Sequence, residues 1–184
     1  MAENSVAPVA RGDTFFKGGT ADADGGIHLE GLVHVFPDTD PDDRLNRRSG
    51  GNVVCILVRN THSGVVTPGQ VVVWEAAYHG KRTDAPCSVL GERVAGVVDD
   101  PLPSAGAAVN DLYWLIVRGK ADVINDGGIS INSMLFASGT TAGQVILVAS
   151  PSGTQACRTI GTAIAAVADD VKGTVHIDIH GGPA

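Results

Sequence analysis

The run Leu112-Tyr113-Trp114-Leu115-Ile116-Val117 limits what this chain can fold into more than any other stretch. Its aromatic and β-branched side chains pack well on a pleated surface. It is too short for a typical helix, and the turn-type pairs Asn110-Asp111 and Arg118-Gly119 bound it. The pattern predicts a central strand buried on both faces, continuing beyond a kink at Gly119 into Ala121 to Ile124. Trp114, one of two tryptophans, should supply its largest block of buried apolar surface.

The rest of the chain repeats this theme of short apolar runs between turns. Val53 to Val58, Val71 to Glu75, Arg93 to Val98, Met134 to Ala137, Gln144 to Ala149 and Thr174 to Ile179 read as strands. Turns are expected at Asn60 to Gly64, Pro68-Gly69 and Pro151 to Gly153, with a hairpin-type turn at Asn125-Asp126-Gly127-Gly128. Arg82 to Gly91, with Pro86 inside it, reads mostly as loop. Arg158 to Ala168 has helix-compatible alanines, but Thr159, Gly161 and Thr162 favour a hairpin with the last strand. The 24 glycines and 9 prolines are scattered without period, as many tight turns require. With only 4% aromatic residues, Val, Ile, Leu and Ala must fill the core. Roughly ten short strands with turns about every 8–12 residues predict an all-β barrel or sandwich.

This body is expected over residues 51–184, preceded by an extended arm over 1–50 that carries one short strand. Residues 1–26 hold few large apolar side chains apart from Phe15-Phe16, too little to offset the entropy of ordering alone. The expectation is a flexible arm, or an arm that orders against a partner, with the Phe pair as the reason to hold the second. Ile27 to Phe36 alternates as a strand, and Pro37 should stop it. Arg44 to Gly51 reads as a linker or short helical turn, its arginines balancing the acidic loop Asp38 to Asp43.

The net charge is −7, the wrong sign for a partner bound through its phosphates, so neither nucleic acid nor an anionic membrane is expected. Cys55, Cys87 and Cys157 lie far apart with no metal-type spacing, and are expected as buried thiols in a reducing cytoplasm. The N-terminal residues lack the pattern of a signal peptide, and no apolar run is long enough to span a bilayer, so a soluble chain is expected.

Three constellations could carry chemistry. The carboxylates of Asp38 to Asp43 invite calcium, but the sixth and twelfth positions are Asp43 and Ser49 where a calcium loop needs Gly and Glu. His176, Asp178 and His180 lie at period two on one strand face, a weak candidate row for a metal. The same spacing is what any half-exposed strand shows. Ala95-Gly96-Val97-Val98-Asp99 resembles the glycine–aspartate motif of trimeric β-fold dUTP pyrophosphatases. The tyrosine expected soon afterwards and the C-terminal arginine motif are missing. There is no nucleophile elbow and no phosphate-binding loop. The reading is a protein that is not an enzyme and uses no cofactor.

From Val94 onward the order of elements resembles the capsid cement, or head decoration, proteins of tailed bacteriophages. The residues that carry it are Val94 to Val98, Ala105 to Val109, Leu115 to Gly119, Gly127 to Leu135, Thr159 to Ala163 and Thr174 to Ile177. The resemblance implies a structural virion protein, made in the bacterial cytoplasm and bound as a homotrimer to the outer surface of the major capsid protein lattice. Under that reading Phe15, Phe16, Leu32, Val33 and Phe36 are the candidate capsid contacts. A carbohydrate- or receptor-binding module of a tail fibre or adhesin is the alternative from another class. It would need an exposed aromatic platform.

Overall fold

A computed structural model describes residues 30–40, 42, 46–77, 80, 82–87, 94–148 and 159–179. Among them are ten strands: β1 (Val33–Thr39), β2 (Arg47–Asn60), β3 (Val71–Trp74), β4 (Arg82–Pro86), β5 (Val94–Val98), β6 (Leu112–Ile124), β7 (Met134–Ala137), β8 (Val145–Leu147), β9 (Gly161–Ala163) and β10 (Lys172–Asp178). The fold is all-β, as the alternation of apolar runs and turns predicts.

The strands form one sheet in the order β1-β2-β4-β3-β5-β6-β10-β9-β7-β8, and β2 also pairs with β6. That extra pairing closes β2, β4, β3, β5 and β6 into a five-membered ring. A second, looser ring follows from β6 through β10, β9, β7 and β8, and a parallel bridge from Asn125 to Val145 brings β8 back to the end of β6. Closure of this kind leaves few open strand edges.

The 112–124 stretch is therefore the shared wall of both rings. Leu112 to Ile116 are all buried, as its composition predicts. The register against β2 slips once: Val54 faces Arg118 and Cys55 faces Ile116, which leaves Val117 as an extra residue. The extra residue keeps one side of the strand on the core while the core positions change from even to odd residue numbers. Leu112, Trp114 and Ile116 before it, and Ala121 and Val123 after it, belong to one apolar cluster. Gly119, at φ +111°, takes the backbone through the bend. A Cβ there would lie 2.8 Å from the Asn52 carbonyl oxygen, so only glycine fits.

Ring strands alternate between two apolar layers. Ile56, Val58, Val72, Trp74, Ala95, Val98, Tyr113 and Leu115 cluster with Val66, Leu102 and Ala107 from flanking loops. Every strand in this set belongs to the first ring, so the set is its interior. The alternate residues of the same strands pack with β7, β8, β9 and β10. Tyr113 is fully buried and its hydroxyl lies 2.7 Å from Thr83 Oγ1, which satisfies the phenol without water. Cys55 and Cys87 are buried thiols, while Cys157 lies outside the described residues.

Several local expectations are corrected. Arg47 to Gly51 is the start of β2, not a linker or helical turn. Arg82–Pro86 is a strand, parallel to β2 and antiparallel to β3. Its one fully inward side chain, Thr83, leaves no apolar alternation to read. Pro37 does not end β1, which continues to Thr39 across a register shift. β1 is at the sheet's edge, where a missing N–H is tolerated. Asn125 to Gly128 closes no hairpin, because β6 pairs with β2, β5 and β10 and not with β7. The hairpin near 158–168 is present: β9 pairs with β10 through Ala163 and Val175.

Candidate functional site

Two features stand apart from ordinary core and loop. The first is β1. Its pairing with β2 places His34 and Phe36 over Cys55 and Val53, on the layer that holds Trp114. The Phe36 ring meets Trp114 edge-on at 5.0 Å between centroids, and His34 lies 4.4 Å from Phe36. The opposite face carries Val33 and Val35, 55% and 53% exposed, with Leu32 beside them at 50%. The strand is thus fastened through one face and presents aliphatic side chains on the other. Of the candidate contacts, Leu32 and Val33 are on the exposed side, Phe36 is turned inward, and Phe15 and Phe16 lie outside the described residues.

The second is a cluster of charge at the far end of the same ribbon. The Arg48 guanidinium lies 2.9 Å from Asp38 Oδ1, 3.2 Å from Asp100 Oδ2 and 3.2 Å from Asp122 Oδ1. It also donates to the Lys120 carbonyl at 2.8 Å. Ser49 Oγ donates to Asp38 at 2.5 Å, Thr174 Oγ1 to Asp122 at 2.6 Å, and the Asp122 N–H to Asp100 at 2.9 Å. Asp38 and Asp100 are buried and Arg48 nearly so. Burial, with the neighbouring Asp122 and Asp99 charges, pushes the Asp100 carboxyl up to about 7. The expectation that the basic segment balances the acidic loop holds for Arg48 and Asp38. Asp100, 52 residues away, carries no such signal in sequence.

A further buried pair ties the start of the described chain to the ring. Arg59 Nε donates to Glu30 Oε1 at 2.7 Å, and Arg59 also donates to the Asn110 carbonyl at 2.9 Å. Burial acts to raise the Glu30 carboxyl, but the hydrogen bond and charge of Arg59 outweigh it and hold the group below its usual range.

The other constellations come out as follows. Asp38 points at Arg48, and Asp40 accepts the N–H of Asp42, while Asp43 lies outside the described residues. Paired residues in a sheet share a face. His176 therefore sits in a row with Lys120, Thr162 and Met134, and Asp178 sits opposite Arg118. Both cross-strand neighbours on β6 are cations, which disfavours a metal there, and His180 lies outside the described residues. Among the described residues no group of three His, Cys, Asp or Glu side chains is placed to hold a metal. Trp74, Tyr113 and Trp114 are all buried, so none of them forms an exposed platform for a sugar. Asp99 is buried behind β5, its N–H on the Trp114 carbonyl.

No family model matches the chain, and no curated protein matches it. Among solved structures the chain is similar to the head fiber gp8.5 N base of bacteriophage phi29, with 16% sequence identity and a TM-score of 0.44. The similarity covers 68% of this chain and 94% of that one.

Proposed function

We propose that this chain is a structural protein of a tailed-phage head, a homotrimer bound to the outer surface of the shell that braces the major capsid protein lattice. The class comes from the resemblance to capsid cement proteins over Val94 to Ile177. The observation that carries the reading is β1, which exposes Leu32, Val33 and Val35 while Phe36 of the same strand is clamped on Trp114. A contact strand held rigidly on one face loses little entropy when its other face docks. An interface of ordinary size, ~1,600 Å², repeated over many copies would hold a shell through summed weak contacts. Residues 1–26, with Phe15 and Phe16 as anchors, extend the contact in this proposal.

Co-sedimentation with expanded phage shells tests it. Removing residues 1–26 should abolish binding and leave the β-body folded. Replacing Leu32 and Val33 together by Ser should weaken binding at least about tenfold, ~1.4 kcal/mol, in the range of burying such side chains. Binding unchanged in both variants would overturn the reading. A dUTP hydrolysis assay with magnesium on the same preparation tests the enzyme alternative.

A further inference from the structure

We propose that the Arg48 cluster is a pH-sensitive clasp: it holds the Asp38–Ser49 end of the β1–β2 ribbon on the barrel while one of its carboxylates carries a proton, and frees that end when all are ionised. The argument begins with the count of charges. One guanidinium faces Asp38 from β1, Asp100 from the loop after β5 and Asp122 from β6. Asp99, fully buried, adds a fourth carboxylate next to Asp100. Lys120, Lys172 and His176 share the sheet face of Asp122 on β6 and β10, but among the described residues none of them forms an ion pair with these carboxylates. Lys120 gives its carbonyl, β10 gives the Thr174 hydroxyl to Asp122, and Arg47 turns away to the Gly51 carbonyl at 2.7 Å. A single buried cation cannot balance three carboxylates, and like charges this close do not all ionise cheaply.

Asp100 is the group that keeps the proton. Asp38 and Asp122 each accept a hydroxyl as well as facing Arg48, whereas among the described residues Asp100 accepts the Asp122 N–H and a 3.2 Å contact from Arg48, and stands beside the Asp122 and Asp99 carboxylates. Its raised carboxyl, about 7 against an ordinary value near 4, has the same direction. The sign follows from linkage. Opening the ribbon returns Asp100 to water and to its ordinary value, so opening releases a proton between about pH 4 and pH 7. The opening constant then rises tenfold per pH unit across that window and levels off above it.

Amide hydrogen exchange on the full chain between pH 5 and pH 8.5, corrected for the intrinsic pH dependence of exchange, tests this. Amides of residues 38–40 and 47–51 should gain protection as pH falls through 7, while those of residues 113–116 in β6 stay level. Asp100→Asn should flatten the ribbon's profile, and Asp122→Asn should move its midpoint to lower pH. A flat profile in the unmodified chain, or the same slope in Asp100→Asn, would overturn the proposal. Should Asp100→Asn fail to fold, the carboxyl carbon resonances of the unmodified chain decide. One aspartate titrating near 7 supports the clasp, and none titrating above 5 overturns it.

Discussion

Asn60, the last residue of β2, is fully buried and organises one end of the first ring. Its side-chain amide faces the carbonyls of Gly64, Ala107 and Ala108 at 3.0, 3.0 and 3.1 Å, and its Oδ1 accepts the His62 N–H at 3.0 Å. Its own N–H donates to the Asp111 carbonyl. Two loops are thus bonded to one side chain. Asn60→Ala should cost roughly 2–4 kcal/mol in urea unfolding, because it strands buried backbone groups rather than only removing a contact. Asn60→Asp should be worse, since it places negative charge against three carbonyls. A loss below about 1 kcal/mol for Asn60→Ala would contradict this account. In the sequence Asn60 announces a turn, and it does end a strand. Its role as a hub depends on carbonyls 47 and 48 residues further on, which no local pattern encodes.

At the scale of elements, β6 shows what is legible and what is not. Its apolar run, its flanking turns and the bend at Gly119 are all visible in the sequence. The extra residue at Val117 is not, since a bulge is defined by the partner's register, and the partner β2 lies far away in the chain. β4 and the first residues of β2 were hidden for a related reason. Both are polar strands whose ordering comes from a neighbour: Thr83 on Tyr113, and Arg48 on Asp38, Asp100 and Asp122. The bulge can be tested directly. Inserting one alanine after Val117 should add a second extra residue and turn Ala121 and Val123 out of the core they share with Trp114, whereas deleting Val117 leaves them on the core side. The cost of the insertion should exceed about 4 kcal/mol, enough to unfold many domains. Val117→Ala, which keeps the register, should cost only about 1 kcal/mol at this half-buried position. An insertion no worse than Val117→Ala would show that the core face beyond Gly119 does not depend on a single extra residue.

For the whole molecule, the two rings could behave as separate folding units or as one. Three observations favour one. β6 supplies a wall to each ring, so neither can lose it independently. A single apolar cluster runs from Val53 and Trp114 to Leu135, Val145 and Ile177, across both rings. The turn before β8 is bonded into the first ring, its Gly143 N–H on the Cys87 carbonyl and its Gly143 carbonyl on the Val71 N–H. Unfolding should therefore be a single cooperative transition. Residue-resolved NMR in urea checks it: the native signals of Leu57 and Tyr113 in the first ring should fade at the same midpoint as those of Leu135 and Val175 in the second. Midpoints separated by more than roughly 0.5 M, which at typical urea slopes is about 1 kcal/mol between the rings, would mean that the shared strand does not couple them. Coupling also bears on the proposed role. A brace passes load from one attachment to another only if its body does not yield between them, and a barrel that melts as one unit meets that condition up to its own midpoint.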